Sequence, residues 1–144
     1  MTRDSMRIFA LGVFITVLLV LSGACSGNSE STVTTPTPVT TTDTFSGTLV
    51  QSGAVVHPFT VTAAGSVTIS LTEVNPLATL ALGVGIGTWD GATCSSMTNN
   101  TNARVGSAAL LGTAGIGSYC VRVYDVGNIA ADTSVTYTVQ VVHP

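Results

Sequence analysis

SVTISLTE, residues 66–73, is the stretch that decides the fold class. Val67, Ile69 and Leu71 alternate with Thr68, Ser70 and Thr72, a period of two that gives a strand one dry face and one wet face. Near the C-terminal end, SVTYTVQVV at 134–142 repeats the pattern with Val135, Tyr137, Val139 and Val141. In ATLALGVGI, 78–86, Leu80, Leu82, Val84 and Ile86 stand against Ala81, Gly83, Gly85 and the following Gly87. Four more short segments read the same way: TFSGTLV at 44–50, VVHPFTVT at 55–62, VGSAALL at 105–111 and GSYCVRVYD at 117–125. Gly, Asn and Pro punctuate them, and no stretch has the 3.6-residue period of an amphipathic helix. Seven to eight short strands over residues 43–144 predict an all-β protein, an antiparallel β-sandwich.

Outside that domain the composition changes. Ile8 to Leu21 carries no charge and follows Arg3 and Arg7. Its length as a helix, about 21 Å, falls short of the roughly 30 Å hydrocarbon core, so residues 1–24 are expected to be a signal peptide. Residues 26–42, SGNSESTVTTPTPVTTT, hold ten Ser or Thr in seventeen positions and two prolines. Such a segment has too little apolar surface to offset its ordering entropy, and 25–42 is expected to be a spacer.

Between leader and spacer stands Cys25, preceded by Leu21, Ser22, Gly23 and Ala24. This junction resembles the lipobox of bacterial lipoproteins, and the resemblance implies a diacylglycerol on the Cys25 thiol and cleavage just before it. The alternative is an ordinary secretory cut after Ala24, releasing a soluble protein. Cysteine arithmetic favours the lipid: of three cysteines, Cys94 and Cys120 can pair, and Cys25 is left over. The expected location is the cell envelope, in the outer membrane or on the surface, with the lipid as the contact to membrane.

Downstream of residue 24, six carboxylates (Glu30, Asp43, Glu73, Asp90, Asp125, Asp132) face two arginines (Arg104, Arg122), with no lysine and a net charge of −4. That balance excludes nucleic acid as a partner, because phosphate neutralisation supplies most of its non-specific affinity.

GTLVQSGAVVHPFTVTAAGSVTISLTE, the LALGVGI strand and the late GSYCVRVYD and YTVQVV together resemble the bacterial pre-peptidase C-terminal domain over about residues 44–142. The resemblance implies a jelly-roll-like sandwich and a non-catalytic accessory role. Where relatives carry an aspartate-bearing strand, this chain reads ATLALGVGI, so no calcium or acidic ligand site comes with it.

Candidate sites are few. A Cys94–Cys120 disulfide would hold the 88–98 region, TWDGATCSSMT, on a sheet surface; the pair lacks the C-x-x-C spacing of a redox site. Within that region Trp89 and Asp90, joined by Tyr124, form the candidate binding loop. Trp89 is either a stacking anchor for a glycan or protein ligand, or a cap on one end of the core. His57 and His143 sit in no nucleophile motif and make no zinc set. Gly83, Gly85 and Gly87 precede no helix and read as flat sheet surface rather than a nucleotide loop. Asp90, Asp125 and Asp132 show no ligand spacing for calcium, and Asn99-Asn100-Thr101 is a sequon expected to be inert. No cofactor, metal or enzymatic activity is expected. The function that follows is a binding or interaction module; a self-associating subunit of a surface layer or filament is the alternative, and a secreted hydrolase the third.

Overall fold

The computed structural model describes residues 39–144. Cys25, the expected leader and the spacer up to residue 38 lie outside the described residues. Eight strands run in the order β1 (Thr41–Val50), β2 (Ala54–Val61), β3 (Gly65–Asn75), β4 (Leu82–Trp89), β5 (Cys94–Ala103), β6 (Ala108–Ala114), β7 (Gly117–Tyr124) and β8 (Ser134–His143). They form two four-stranded antiparallel sheets, β1-β8-β3-β6 and β2-β7-β4-β5. In this order the pairs β1/β2, β8/β7, β3/β4 and β6/β5 lie opposite each other, which is the double-sheet wrap of a jelly roll.

The alternation read from the sequence is what packs the core. Val67, Ile69 and Leu71 of β3 and Val135, Tyr137, Val139 and Val141 of β8 are buried from one sheet. Phe59 and Val61 of β2, Leu82 and Val84 of β4, and Val121 and Val123 of β7 meet them from the other. In β3 a break in register between Leu71 and Glu73 turns Val74 inward and leaves Glu73 in solvent. Each fully buried aliphatic side chain contributes about 1.5–3 kcal/mol, so this interlocked set outweighs any single surface contact.

Two expectations change. Residues 94–103, CSSMTNNTNA, form a full strand where none was predicted, and all but three of these residues are solvent-exposed. An edge strand needs only one hydrogen-bonded neighbour and one partly apolar face, so its sequence need not alternate. The LALGVGI strand begins at Leu82, not at 78, because Asn75-Pro76 and the Leu80-to-Leu77 backbone hydrogen bond make residues 76–81 a turn. At the other end, Thr41 and Thr42 already pair with His143 and Val142.

Candidate functional site

The outer face of β2-β7-β4-β5 gathers most of the residues singled out from the sequence. Pairing registers place Gly83 opposite Tyr124, Gly85 opposite Arg122 and Gly87 opposite Cys120. The glycines are not bare surface: each supports a neighbour that a side chain would displace. A Cβ on Gly83 would stand 2.3 Å from the Tyr124 ring, and one on Gly87 would stand 2.3 Å from the Ser95 carbonyl oxygen. Tyr124 therefore lies down over β4, and the Arg122 guanidinium stacks on its ring, 5.0 Å from the centroid. The Asn99 side chain covers Gly85 from the β5 side, and Val56 of β2 flanks Arg122 on the other. Val56, Arg122, Gly85 and Asn99 thus form one row across all four strands.

Cys94 and Cys120 are disulfide-bonded, with Cα atoms 5.8 Å apart. The bridge does not staple a loop. It joins β5 to β7 over the intervening β4, which is feasible because Gly87 lets the β5 backbone close down on the sheet and the register breaks between Ile86 and Gly87. Cys120 faces outward as alternation requires, yet it is fully buried beneath the bridge, and its Sγ lies 3.4 Å from the Thr88 carbonyl oxygen.

The candidate loop of Trp89, Asp90 and Tyr124 comes apart. Trp89 is the half-buried last residue of β4, paired with Cys94 and outside the core cluster. Tyr124 sits over Gly83, six residues back along the strand, or about 20 Å at about 3.3 Å per residue. Asp90 is consumed by its own turn: its Oδ1 accepts the Thr93 N–H at 2.6 Å and the Ala92 N–H at 2.8 Å. Those two donors hold its carboxyl below the ordinary carboxylate range.

Sequence reasoning missed the role of Asp125. Its Oδ1 accepts N–H groups from Gly127, Asn128 and Ile129, and its Oδ2 accepts the Ser52 N–H at 2.8 Å. Burial alone would raise this carboxyl, but the four donors outweigh it and its pKa lies below the ordinary value. The D-x-G-N run at 125–128 was the available signal, since Asp side chains accept from the backbone two or three residues on. Among the described residues no three His, Cys, Asp or Glu side chains group as metal ligands.

Both histidines point between the sheets, near the rim where β1 faces β2. His57 Nε2 lies 2.7 Å from the Tyr137 hydroxyl, and its ring stacks on Phe45 at 5.0 Å. Burial lowers the His57 pKa and raises that of Tyr137 to about 12. His143 Nε2 lies 3.1 Å from Asp43 Oδ2, and its Nδ1 is 3.0 Å from the Pro144 carbonyl oxygen. These are load-sharing contacts between strands, with no serine or cysteine nucleophile among the partners.

At the opposite rim an apolar notch of about 120 Å³ opens between β5 and β6, lined by Val67, Ile69, Ile86, Leu110, Gly112 and Tyr119 among others. Gly112 faces inward opposite Val67, and a Cβ there would meet nothing within 4 Å, so the missing side chain leaves the notch open. No family model matches the chain, and no curated protein matches it.

Proposed function

We propose that this chain is an exported lipoprotein of the cell envelope, held to membrane through Cys25 and presenting a non-catalytic jelly roll to a glycan or protein ligand. The carrying observation is the side-chain platform on β2-β7-β4-β5. Tyr124 lies flat on Gly83 with the Arg122 guanidinium stacked on its ring, and the disulfide braces the far end of the same face. Groups fixed before contact lose less entropy on binding, and Tyr and Arg are the residue types that most often anchor an interface. Support for a non-catalytic role comes from how the polar groups are used: His57, His143, Asp43, Asp90 and Asp125 each hold another part of the fold. The lipobox-like junction and the resemblance to pre-peptidase C-terminal domains point the same way, to an accessory module on an outer membrane or cell surface.

Two measurements test this. Intact mass of the mature protein from its native host should show diacylglycerol on Cys25; an unmodified thiol in the culture medium would remove the anchor. On glycan and peptide arrays, Arg122→Ala and Tyr124→Ala should each weaken the bound signal about tenfold or more, Arg122→Ala without lowering the melting temperature appreciably. Undiminished binding in both variants would move the site off this face.

A further inference from the structure

The rim formed by β5 and β6 carries a second surface, separate from the platform. β6 pairs only with β3 and β5 only with β4, so both present an open edge. Two exposed large apolar side chains line the notch there, Met97 and Leu111, at 56% and 76% exposure, and a third, Ile116 at 75%, follows β6 in the turn to β7. Beneath them lies the notch left open by Gly112.

Exposed edges are normally guarded by lysine, proline or a charge, because bare strand edges invite further pairing. β6, AALLGTA, has none of these. From Gly91 to Val121 the sole charge is Arg104, and its guanidinium donates to the Thr79 carbonyl. The remaining strand edges are less suited to pairing: β1 carries Asp43, β2 carries Pro58, and β5 is broken twice in register. Asn100 Nδ2 caps the Ala109 carbonyl at 2.8 Å, so the free part of β6 begins at Leu110.

Charge then selects the occupant. The rest of the domain bears Asp43, Glu73, Asp90, Asp125 and Asp132 against Arg122, so two copies repel each other unless an uncharged sector meets its like. We propose that the Leu110–Ala114 edge of β6 pairs antiparallel with the same edge of a second copy, doubling the β1-β8-β3-β6 sheet across a two-fold axis. Such an isologous contact needs one self-complementary patch, and main-chain pairing of edge strands is an established mode of association. The inward row of the second copy's β6 would lie across the mouth of the notch, covering Met97, while on the outer face Leu111 lies opposite Thr113 of the second copy.

The test uses the full chain in native membranes. A photoreactive benzoylphenylalanine at Leu111 or Thr113 should yield a cross-linked homodimer, whereas the same group at Thr136 on β8 or Thr60 on β2 should not. Leu111→Lys and Thr113→Glu each set two like charges diagonally across the two-fold, about 7–8 Å apart, and bury them at the joined edge, so each should cut the yield of dimer, captured from the other position, about tenfold or more. Both side chains are exposed, so melting temperature checks that the fold is intact, and the opposite signs make a common loss diagnostic of burial at the edge. Capture of no second copy from β6, equal capture from the control positions, or full dimer yield in both charged variants would each overturn the proposal.

Discussion

Replacing Asp125 should cost more stability than replacing any other carboxylate in the domain. In the wild type its two oxygens satisfy four backbone N–H groups at 2.8–3.1 Å, tying the turn after β1 to the loop before β8. Hydrogen bonds to a charged group contribute about 1.5–3 kcal/mol each, but a plain sum overshoots because Ser52, Gly127 and Asn128 are exposed and regain water. Ile129 is only 3% exposed, and its N–H would stay dry and unpaired, at about 1–3 kcal/mol. Adding about 0.5–1 kcal/mol for each of the three rehydrated donors gives about 2.5–6 kcal/mol for Asp125→Ala. Asp125→Asn keeps one acceptor oxygen and sets an amide donor against another donor, so about half that loss is expected. Urea denaturation of the mature protein at neutral pH measures both. Because the folded carboxyl titrates below its unfolded value, the wild-type advantage over Asp125→Asn should be full above about pH 3.9 and disappear as pH falls through the lower, folded value. An Asp125→Ala loss under about 1 kcal/mol, or an advantage that persists undiminished into strong acid, would refute the assignment.

Removing the disulfide as Cys94→Ala/Cys120→Ala frees a loop closed over a sequence separation of 26. The chain-entropy relation gives about 3.5 kcal/mol of lost stability, measured by the same denaturation, and a loss near zero would show that the unfolded chain is not restrained by the bridge. His57 supplies an acid dependence: burial lowers its pKa from 6.5, so the unfolded chain takes up the proton first. Its share of stability is complete above about pH 6.5 and declines below, levelling beneath the folded value; His57→Gln should flatten that slope, and an unchanged slope would exonerate the residue. Gly83→Ala should cost about 1–3 kcal/mol by lifting the Tyr124 ring, and the same change in a Tyr124→Ala background should be neutral or stabilising. Additive losses in that double-mutant cycle would mean the ring does not rest on β4.

Alternation made β1, β2, β3, β7 and β8 legible nearly to their ends, since a core between two sheets favours apolar residues at every second position, whereas β6, read at 105–111, runs over Ala108–Ala114, where Leu110 and Leu111 are adjacent and a glycine takes the next inward place. It failed at β5 because CSSMTNNTNA spends most of its surface on water and is held by one neighbour. The glycines of β4 were seen, but their meaning depends on what crosses them: Tyr124, Asn99 and Ser95 come from β7 and β5. Trp89 and Tyr124 were grouped in one candidate loop, whereas antiparallel pairing sends them to opposite ends of β4. Asp125 was visible only as a possible cation ligand, and its turn-forming role required knowing that Ser52 folds back beside it.

The position of β8 has a consequence for how the protein is made. The last strand in chain order lies inside its sheet, hydrogen-bonded to β1 on one side and β3 on the other. Until β8 is available, β1 has no hydrogen-bonded neighbour in its sheet, so the wrap cannot close. Closure that waits on such distant pairings is slow. If the chain is exported as proposed, this delay would keep it threadable through an export channel until β8 arrives to close the sheet.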